Sequence, residues 1–449
     1  MFEPYQSTPE QPWNVRRVVH LHRRAGFAAT WSDIQRDLKD GPQAAVTRLL
    51  RANPKRQRDE ANDQANDKAN DFEQMSAVIC DAAVGSGNIN RLKAWWLYRM
   101  LFTPAPLGER LTLMWHDHFA TSNIKVADVA LMRQQNAIFR QLSRAPFGET
   151  LRRVAKDPAL LVWLDADANR KEHPNENLAR EIMELFSLGV GNYSEDDIQE
   201  AARALTGWSV NKRQFRSYDQ YHDVGEKTIF GKSGNWTGDD LVRMLVEHPA
   251  TARRLAFRIC KLFMGEKVAS SEQHSALANC LRERDLDTGW AIETVLRSEA
   301  FFSNSTLGNR VLGPIEFVIG AARSLEITDP PPSTLLLAEA TANLGQDLFN
   351  PPNVFGWPGG RSWLTSRTLI GRANFASALV NGELTRPSKP FDAAALAESH
   401  GFPKTKEIGR FFAQLLLGQP RLPAAFQPYA ETPARLVSAI LASPEAQLA

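Results

Sequence analysis

Cysteine is scarce: Cys80, Cys260 and Cys280 are the only three in 449 residues. They form no Cys-x-x-Cys pair and no Cys/His cluster, which argues against a disulfide framework and against a structural zinc site. Cys260 sits in the apolar run with Leu255, Phe257 and Leu262 and reads as a buried thiol. Charge of one sign is lacking as well. Fifty-three Lys and Arg face 51 Asp and Glu, a formal charge of +2, without the basic excess of a chain that grips nucleic acid as a whole. No apolar run approaches the ~20 residues that cross a bilayer. The start, Met1-Phe2-Glu3-Pro4-Tyr5, lacks the charged head and apolar core of a secretory leader. Arg16-Arg17 and Arg23-Arg24 are pairs with no long apolar stretch behind them, so no twin-arginine signal is read. The chain as given is expected to be cytoplasmic, or periplasmic or secreted if a leader was removed. Period-two alternation is sparse too, and no Gly-x-Ser-x-Gly, His-Glu-x-x-His or Gly-x-x-x-x-Gly-Lys pattern occurs.

What is present is an ordinary globular composition, 43% hydrophobic and 23% charged, long enough for about three domain equivalents. Apolar residues recur at three- and four-residue spacing near 88–103, 106–121, 126–144, 174–189, 194–207, 238–264, 270–284, 310–325, 363–381 and 406–417. Pro106 and Pro174 suit a first helical turn, and Ser194 followed by Glu195-Asp196-Asp197 suits a capped start. A short hairpin-like stretch is expected between Trp208 and Trp236. The predicted fold is mostly α: a large multi-helix body, an N-terminal helical cap and a small β excursion. Ala-Asn-Asp repeats at 61–63, 65–67 and 69–71 carry almost no apolar surface, so 51–74 reads as a charged linker or insertion. The expected divisions are a cap at 1–50, this linker, a main helical domain at 75–383, and a loop with a C-terminal helical piece at 384–449. Asp329-Pro330-Pro331-Pro332 is a stiff connector within the main part.

The densest polar stretch runs from Leu161 to Glu181, an apolar run ending in a polar loop that enters a helix. At ~100° per residue, Leu178, Ile182, Leu185 and Phe186 share a face, whereas Glu176, Arg180 and Glu184 point away. Glu181 lies at the edge of the apolar stripe, beside Leu188 and Asn177. A carboxylate there is hydrogen-bonded or has a raised pKa, which is how a general acid at neutral pH arises. The competing reading is a structural tie to Arg203 or Arg170. Asp165 and Asn169 can face the same site from the loop, and two carboxylates ~5–10 Å apart suit glycoside hydrolysis. Asp165 and Asn175 serve equally well as turn and helix caps.

Trp115-His116-Asp117-His118-Phe119 places two histidines on nearly opposite sides of a helix. His118 continues the Leu111, Met114, Trp115 face as a core histidine, and metal ligation needs distant partners such as His173, His222 or Glu181. Two aromatic loops, around Tyr221-His222-Asp223 and from Asn350 to Trp363, place Trp and Tyr beside Arg, Asn and Asp. Such linings stack on sugars or close gaps between helices. The leading assignment is a hydrolase of glycans or related polymers, with Glu181 as acid and Asp165 as base or nucleophile. Asn169, Asn177 and His118 position groups, and Trp208, Trp357, Trp363 and Arg361 contact substrate. No cofactor is expected under that assignment. The rivals are a metal-dependent enzyme, with a divalent ion on His116, His118, His222 and Glu181, and a non-enzymatic binding or assembly protein. Expected partners are a carbohydrate or small-molecule ligand and a protein encoded nearby.

Five motifs, Arg24 with Gly26-Phe27, Trp115 to Phe119, Asn175 to Gly189, Ala202 to Trp208, and Pro352-Asn353-Val354 with Gly356 to Gly360, lie in the order found in one family. Over roughly 15–380 the chain resembles the large bacterial domain-of-unknown-function family eighteen hundred. The resemblance implies a shared architecture and, since members are often secreted, an exported relative; it implies no established activity. The charged repeat at 61–71 departs from the family pattern.

Overall fold

Helices follow the apolar periodicity closely and end where the chemistry of the chain requires. The computed structural model describes residues 2–51, 63–266 and 268–449. The segment predicted as one helix over 238–264 is two, Gly238–Glu247 and Pro249–Met264. Pro249 has no N–H and pushes His248 out of the helical region, to φ −69° and ψ 131°. Pro106 opens its helix, Pro106–His118, as expected. Pro174 does not, because the loop is still being closed there: Asn175 N–H donates to Asn169 and Asn177 N–H donates to Asn175, so the helix begins at Asn177. Ser194 and Asp197 form a reciprocal cap, each side chain accepting the other's backbone N–H. Helices at Phe147–Ala155, Thr288–Arg297, Thr334–Asn343 and Pro433–Ala442 were not legible from periodicity. At least Asp287 and Pro433 mark their starts in the sequence.

The β excursion is two separate antiparallel hairpins, Trp208–Asn211 with Gln214–Ser217 and Lys227–Ile229 with Lys232–Gly234. The first turns through Lys212 and Arg213, both at positive φ, a twist that matches a two-residue hairpin.

Two apolar cores hold the helices, and neither respects the expected divisions. One gathers Leu111, Trp115, Phe119, Leu178, Ile182, Phe186 and Leu255; the other gathers Val18, Trp31, Trp96, Val318, Phe411 and Val437. Residues of the expected cap enter both, and the piece after 384 is part of the second: Trp31 packs on Phe411 at 5.0 Å. Of the expected linker, residues 52–62 lie outside the described residues. From Asp63 the chain is helical to Gly85, with Phe72 stacked on Tyr98 and Glu73 paired to Arg99. Helix Pro106–His118 contributes to both cores, Leu111 and Trp115 to one and Leu113 to the other. Among the described residues no helix is long and apolar enough to cross a membrane.

Candidate functional site

The polar segment after Trp163 is built around Asn169. This buried amide donates to Ala202 O (2.8 Å) and accepts from Asn175 N–H (2.9 Å), while its own carbonyl accepts from Gly207 N–H (3.1 Å). Asn169 therefore fixes the loop rather than facing out of it. Asp165, at φ 56°, is half-buried; its Oδ2 receives Lys125 Nζ at 2.7 Å and Asn177 Nδ2 at 3.3 Å. Glu181 stands one turn beyond Asn177, so the two share a helix face. Asp165, Asn177 and Glu181 are thus brought to one side of the molecule, together with Lys125, which sequence reasoning missed.

Glu181 is half-buried and, among the described residues, has neither an ion pair nor a hydrogen bond. The arginines that could have tied it down are engaged elsewhere. Arg203 bonds Asp223 and Glu200, Arg170 lies over the Tyr221 ring, and Arg180 pairs with Glu176 and Glu195. Burial and the neighbouring Glu184 carboxylate push the Glu181 carboxyl up to about 7, against the opposing pull of Arg180. Directly after it the helix widens: Ile182–Leu188 is a π-helix, a rare form that recurs at functional sites. Ser187 Oγ donates to Ile182 O at 2.7 Å, satisfying a carbonyl near the widened turn. Glu184 accepts from the Tyr193 hydroxyl.

The histidines go to separate places. His116 Nε2 accepts the Phe349 N–H (3.2 Å) amid the rings of Trp96, Phe349 and Trp357, and burial drives it down to about 3. His118 Nε2 donates to Phe186 O (3.0 Å) beneath the π-helix, and burial, with Arg258 and Arg254 nearby, holds it well below the usual range. His222 lies against Thr206, its Nδ1 donating to the carbonyl at 3.0 Å. Among the described residues no group of three or more His, Cys, Asp or Glu is placed to hold a metal ion. His116, His118, His222 and Glu181 therefore do not form a ligand set.

The loop before Trp363 docks on Asp117. Asp117 Oδ1 accepts Trp357 N–H at 3.0 Å, and Oδ2 accepts Arg258 Nη2 at 3.1 Å. Gly356, at φ +84°, makes this approach feasible, since a Cβ there would stand 2.4 Å from Asp117 Oδ1. Gly356→Ala is expected to cost ~2–3 kcal/mol from positive-φ strain and clash combined. Thermal denaturation checks it; an unchanged melting temperature would show that the loop is not held this way. Trp357 and Trp363 are buried at the edge of a cavity of about 130 Å³ shared with Asp117, Arg258 and Arg110; Arg361 is exposed outside it. Trp208 is elsewhere, buried against Phe215 with Lys156 over its ring.

One helix connects the two regions. Pro249–Met264 presents Arg254, Arg258 and Lys261 at four- and three-residue spacing, on one face. Arg254 donates to Leu185 O on the π-helix (3.3 Å), Arg258 holds Asp117, and Lys261 pairs with Glu266 beside Gly360. That spacing was a readable signal that the sequence analysis did not use.

No curated protein and no solved structure matches the chain. A family model described as "Protein of unknown function (DUF1800)" matches residues 20–448, extending the resemblance through the C-terminal piece. The five motifs converge on the structure just described, with Asp117 of one holding Trp357 of another, and the chain belongs to this family of proteins of unknown function.

Proposed function

We propose that the chain is an enzyme, a hydrolase of glycans or related polymers, in which Glu181 exchanges a proton with substrate and Asp165 supplies the second carboxylate. One observation carries this reading: a half-buried carboxyl with no ionic partner among the described residues, placed where an α-helix opens into a π-helix. With its pKa raised to about 7, both protonation states are populated near neutrality, the condition for general acid–base work. Asn177 bonds Asp165 and precedes Glu181 by one turn, so the two carboxylates share a face with an amide between them. Paired carboxyls flanking a scissile bond suit glycoside hydrolysis. A binding or assembly role is favoured by a different observation: Trp208, Trp357 and Trp363 are buried and present no open ring for a sugar to stack on.

Glu181→Gln separates the two. The substitution keeps the shape and removes the titrating proton. On the enzyme reading, reducing-end release from a panel of oligosaccharides falls by at least ~10²-fold. The sign on stability follows from the raised pKa. The folded state holds the proton more firmly than the unfolded one between about 4.5 and 7, so the wild type loses stability as pH rises through that window. The variant is therefore expected to melt like the wild type at pH 5 and above it at pH 8. Retained turnover would end the catalytic reading; a lowered melting temperature at every pH would make the carboxyl structural.

A further inference from the structure

The cavity behind the Asp117-docked loop has a charge arrangement that the Glu181 chemistry does not use. Four cations line it, Arg110, Arg258, Lys261 and Arg310, with three carboxylates, Asp117, Glu266 and Glu316. Three pairs account for most of them: Arg258 with Asp117 (3.1 Å), Lys261 with Glu266 (3.0 Å), and Arg310 with Glu316 through both guanidinium arms. Arg110 is the fourth cation, and no carboxylate is left for it alone. It is only 4% exposed; its Nη2 pairs at 2.8 Å with a Glu316 oxygen already engaged by Arg310, and among the described residues its buried Nε has no hydrogen-bond partner. Two more guanidiniums stand behind the same carboxylate. Arg24 is fully buried, with Nε and Nη1 unpartnered, and Arg372 is 1% exposed, with Nε unpartnered. Arg24, Arg110, Arg310 and Arg372 all act electrostatically on or near Glu316, which by itself compensates one of them.

Buried charge without a counter-charge is costly, and a guanidinium with unused donors is shaped to receive an oxygen anion. The space is suited to a small one. At about 130 Å³ it is well below the ~300–1,000 Å³ of a pocket for a drug-sized ligand, so it takes one head group rather than a chain of rings. Gly359 and Gly360 also line it, beside the Glu266 carboxylate.

We propose that this cavity is a binding site for a single oxyanion group (phosphate, sulfate or carboxylate, free or at the end of a larger ligand), received by Arg110, which shares its one carboxylate with Arg310, beside Arg310 and Arg258. The assignment is independent of any chemistry at Glu181.

Titration calorimetry of the full chain with inorganic phosphate, sulfate and acetate, each against chloride at matched ionic strength, tests it. Saturable binding of at least one, absent for chloride, is expected, and the ranking tells tetrahedral anions from carboxylates. Arg110→Gln is expected to weaken that binding at least tenfold. Because this variant risks misfolding, Gly359→Asp provides a second arm. Gly359 has negative φ, and a Cβ there would meet only Glu266 Oε1, at 3.8 Å, so the substitution adds a negative charge to the lining without a steric clash, and it too is expected to weaken binding at least tenfold. Lys406→Gln, exposed and outside the lining, is expected to leave anion binding unchanged. No anion binding beyond chloride in the wild type overturns the proposal, as does binding that Gly359→Asp leaves intact.

Discussion

Replacing Glu109 by Gln is expected to destabilise the protein by ~3–5 kcal/mol, the range for removing one partner of a buried ionic cluster. Glu109 is 2% exposed and holds four donors at once. Trp96 Nε1 donates to Oε2 at 2.9 Å, Arg99 Nε to Oε1 at 2.8 Å, and Arg140 reaches both oxygens at 2.7 and 2.9 Å. Burial alone would raise this carboxyl, but Arg140 and Arg99 overcome it and hold it down to about 2. Arg99 in turn grips Glu73 with two bonds and Ser76 with a third. The carboxylate therefore ties four helices: Asp63–Gly85, Ile89–Phe102, Pro106–His118 and Val129–Gln141. An amide offers one acceptor oxygen in place of two; it leaves Arg140 without a carboxylate among the described residues and Arg99 with Glu73 alone. The sign with pH is the ordinary acid one. The folded pKa is depressed, so the stabilisation is present above about 4.5 and is lost as pH falls toward 2. Denaturant unfolding at pH 7 measures the loss, and the variant's acid limb is expected to be flatter. A loss below ~1 kcal/mol would mean the arginines find other partners.

Asp157→Asn is expected to act in the opposite direction, stabilising the protein above pH 7. Asp157 caps helix Pro158–Trp163, accepting Leu160 N–H at 3.1 Å and Gln135 Nε2 at 2.7 Å on the same oxygen. Its other oxygen is buried without a partner, as is Gln135 Oε1. Burial pushes the carboxyl up to about 7 from 3.8, only partly offset by the Leu160 and Gln135 hydrogen bonds. The folded state therefore binds the proton more firmly between about 4 and 7, and stability falls as pH rises through that window. At ~1.4 kcal/mol per pKa unit, three units give at most ~4 kcal/mol. Asparagine keeps the capping oxygen and puts a neutral N–H₂ where the protonated oxygen stood. A melting series from pH 5 to pH 8 is expected to slope downward for the wild type and less steeply for the variant, in which the Glu181 contribution remains. Parallel slopes would show that another group sets the dependence.

Both carboxyls illustrate what a linear reading can and cannot do. Glu109 lies in Leu107-Gly108-Glu109-Arg110 and looks like a first-turn acid on a solvated face. Only the fold brings Arg99 and Arg140 onto it from two other helices. Glu181 was legible, because its place relative to Leu178, Ile182 and Phe186 is a matter of helical angle alone. Its freedom from Arg203 and Arg170 was not, since that depends on where Asp223 and Tyr221 fall. The two histidines of Trp115 to Phe119 were correctly separated by the same angular argument. Their neighbour Asp117 was passed over, although it is the residue on which the distant loop closes.

The resemblance carried by its motifs pointed to the family, and composition and periodicity determined a helical protein, the place of most of its helices and the capped start at Ser194. These follow from interactions within a few residues, where spacing and side-chain type are enough. The tertiary structure decided that the supposed cap and C-terminal piece share cores with the body, that the supposed linker is helical from Asp63, that a π-helix follows Glu181, and that Arg110 shares the single carboxylate of Glu316 with Arg310. Each of these depends on which remote surfaces meet, and burial, the charge left over in a cavity and the pairing of an acid with a base are properties of that meeting alone.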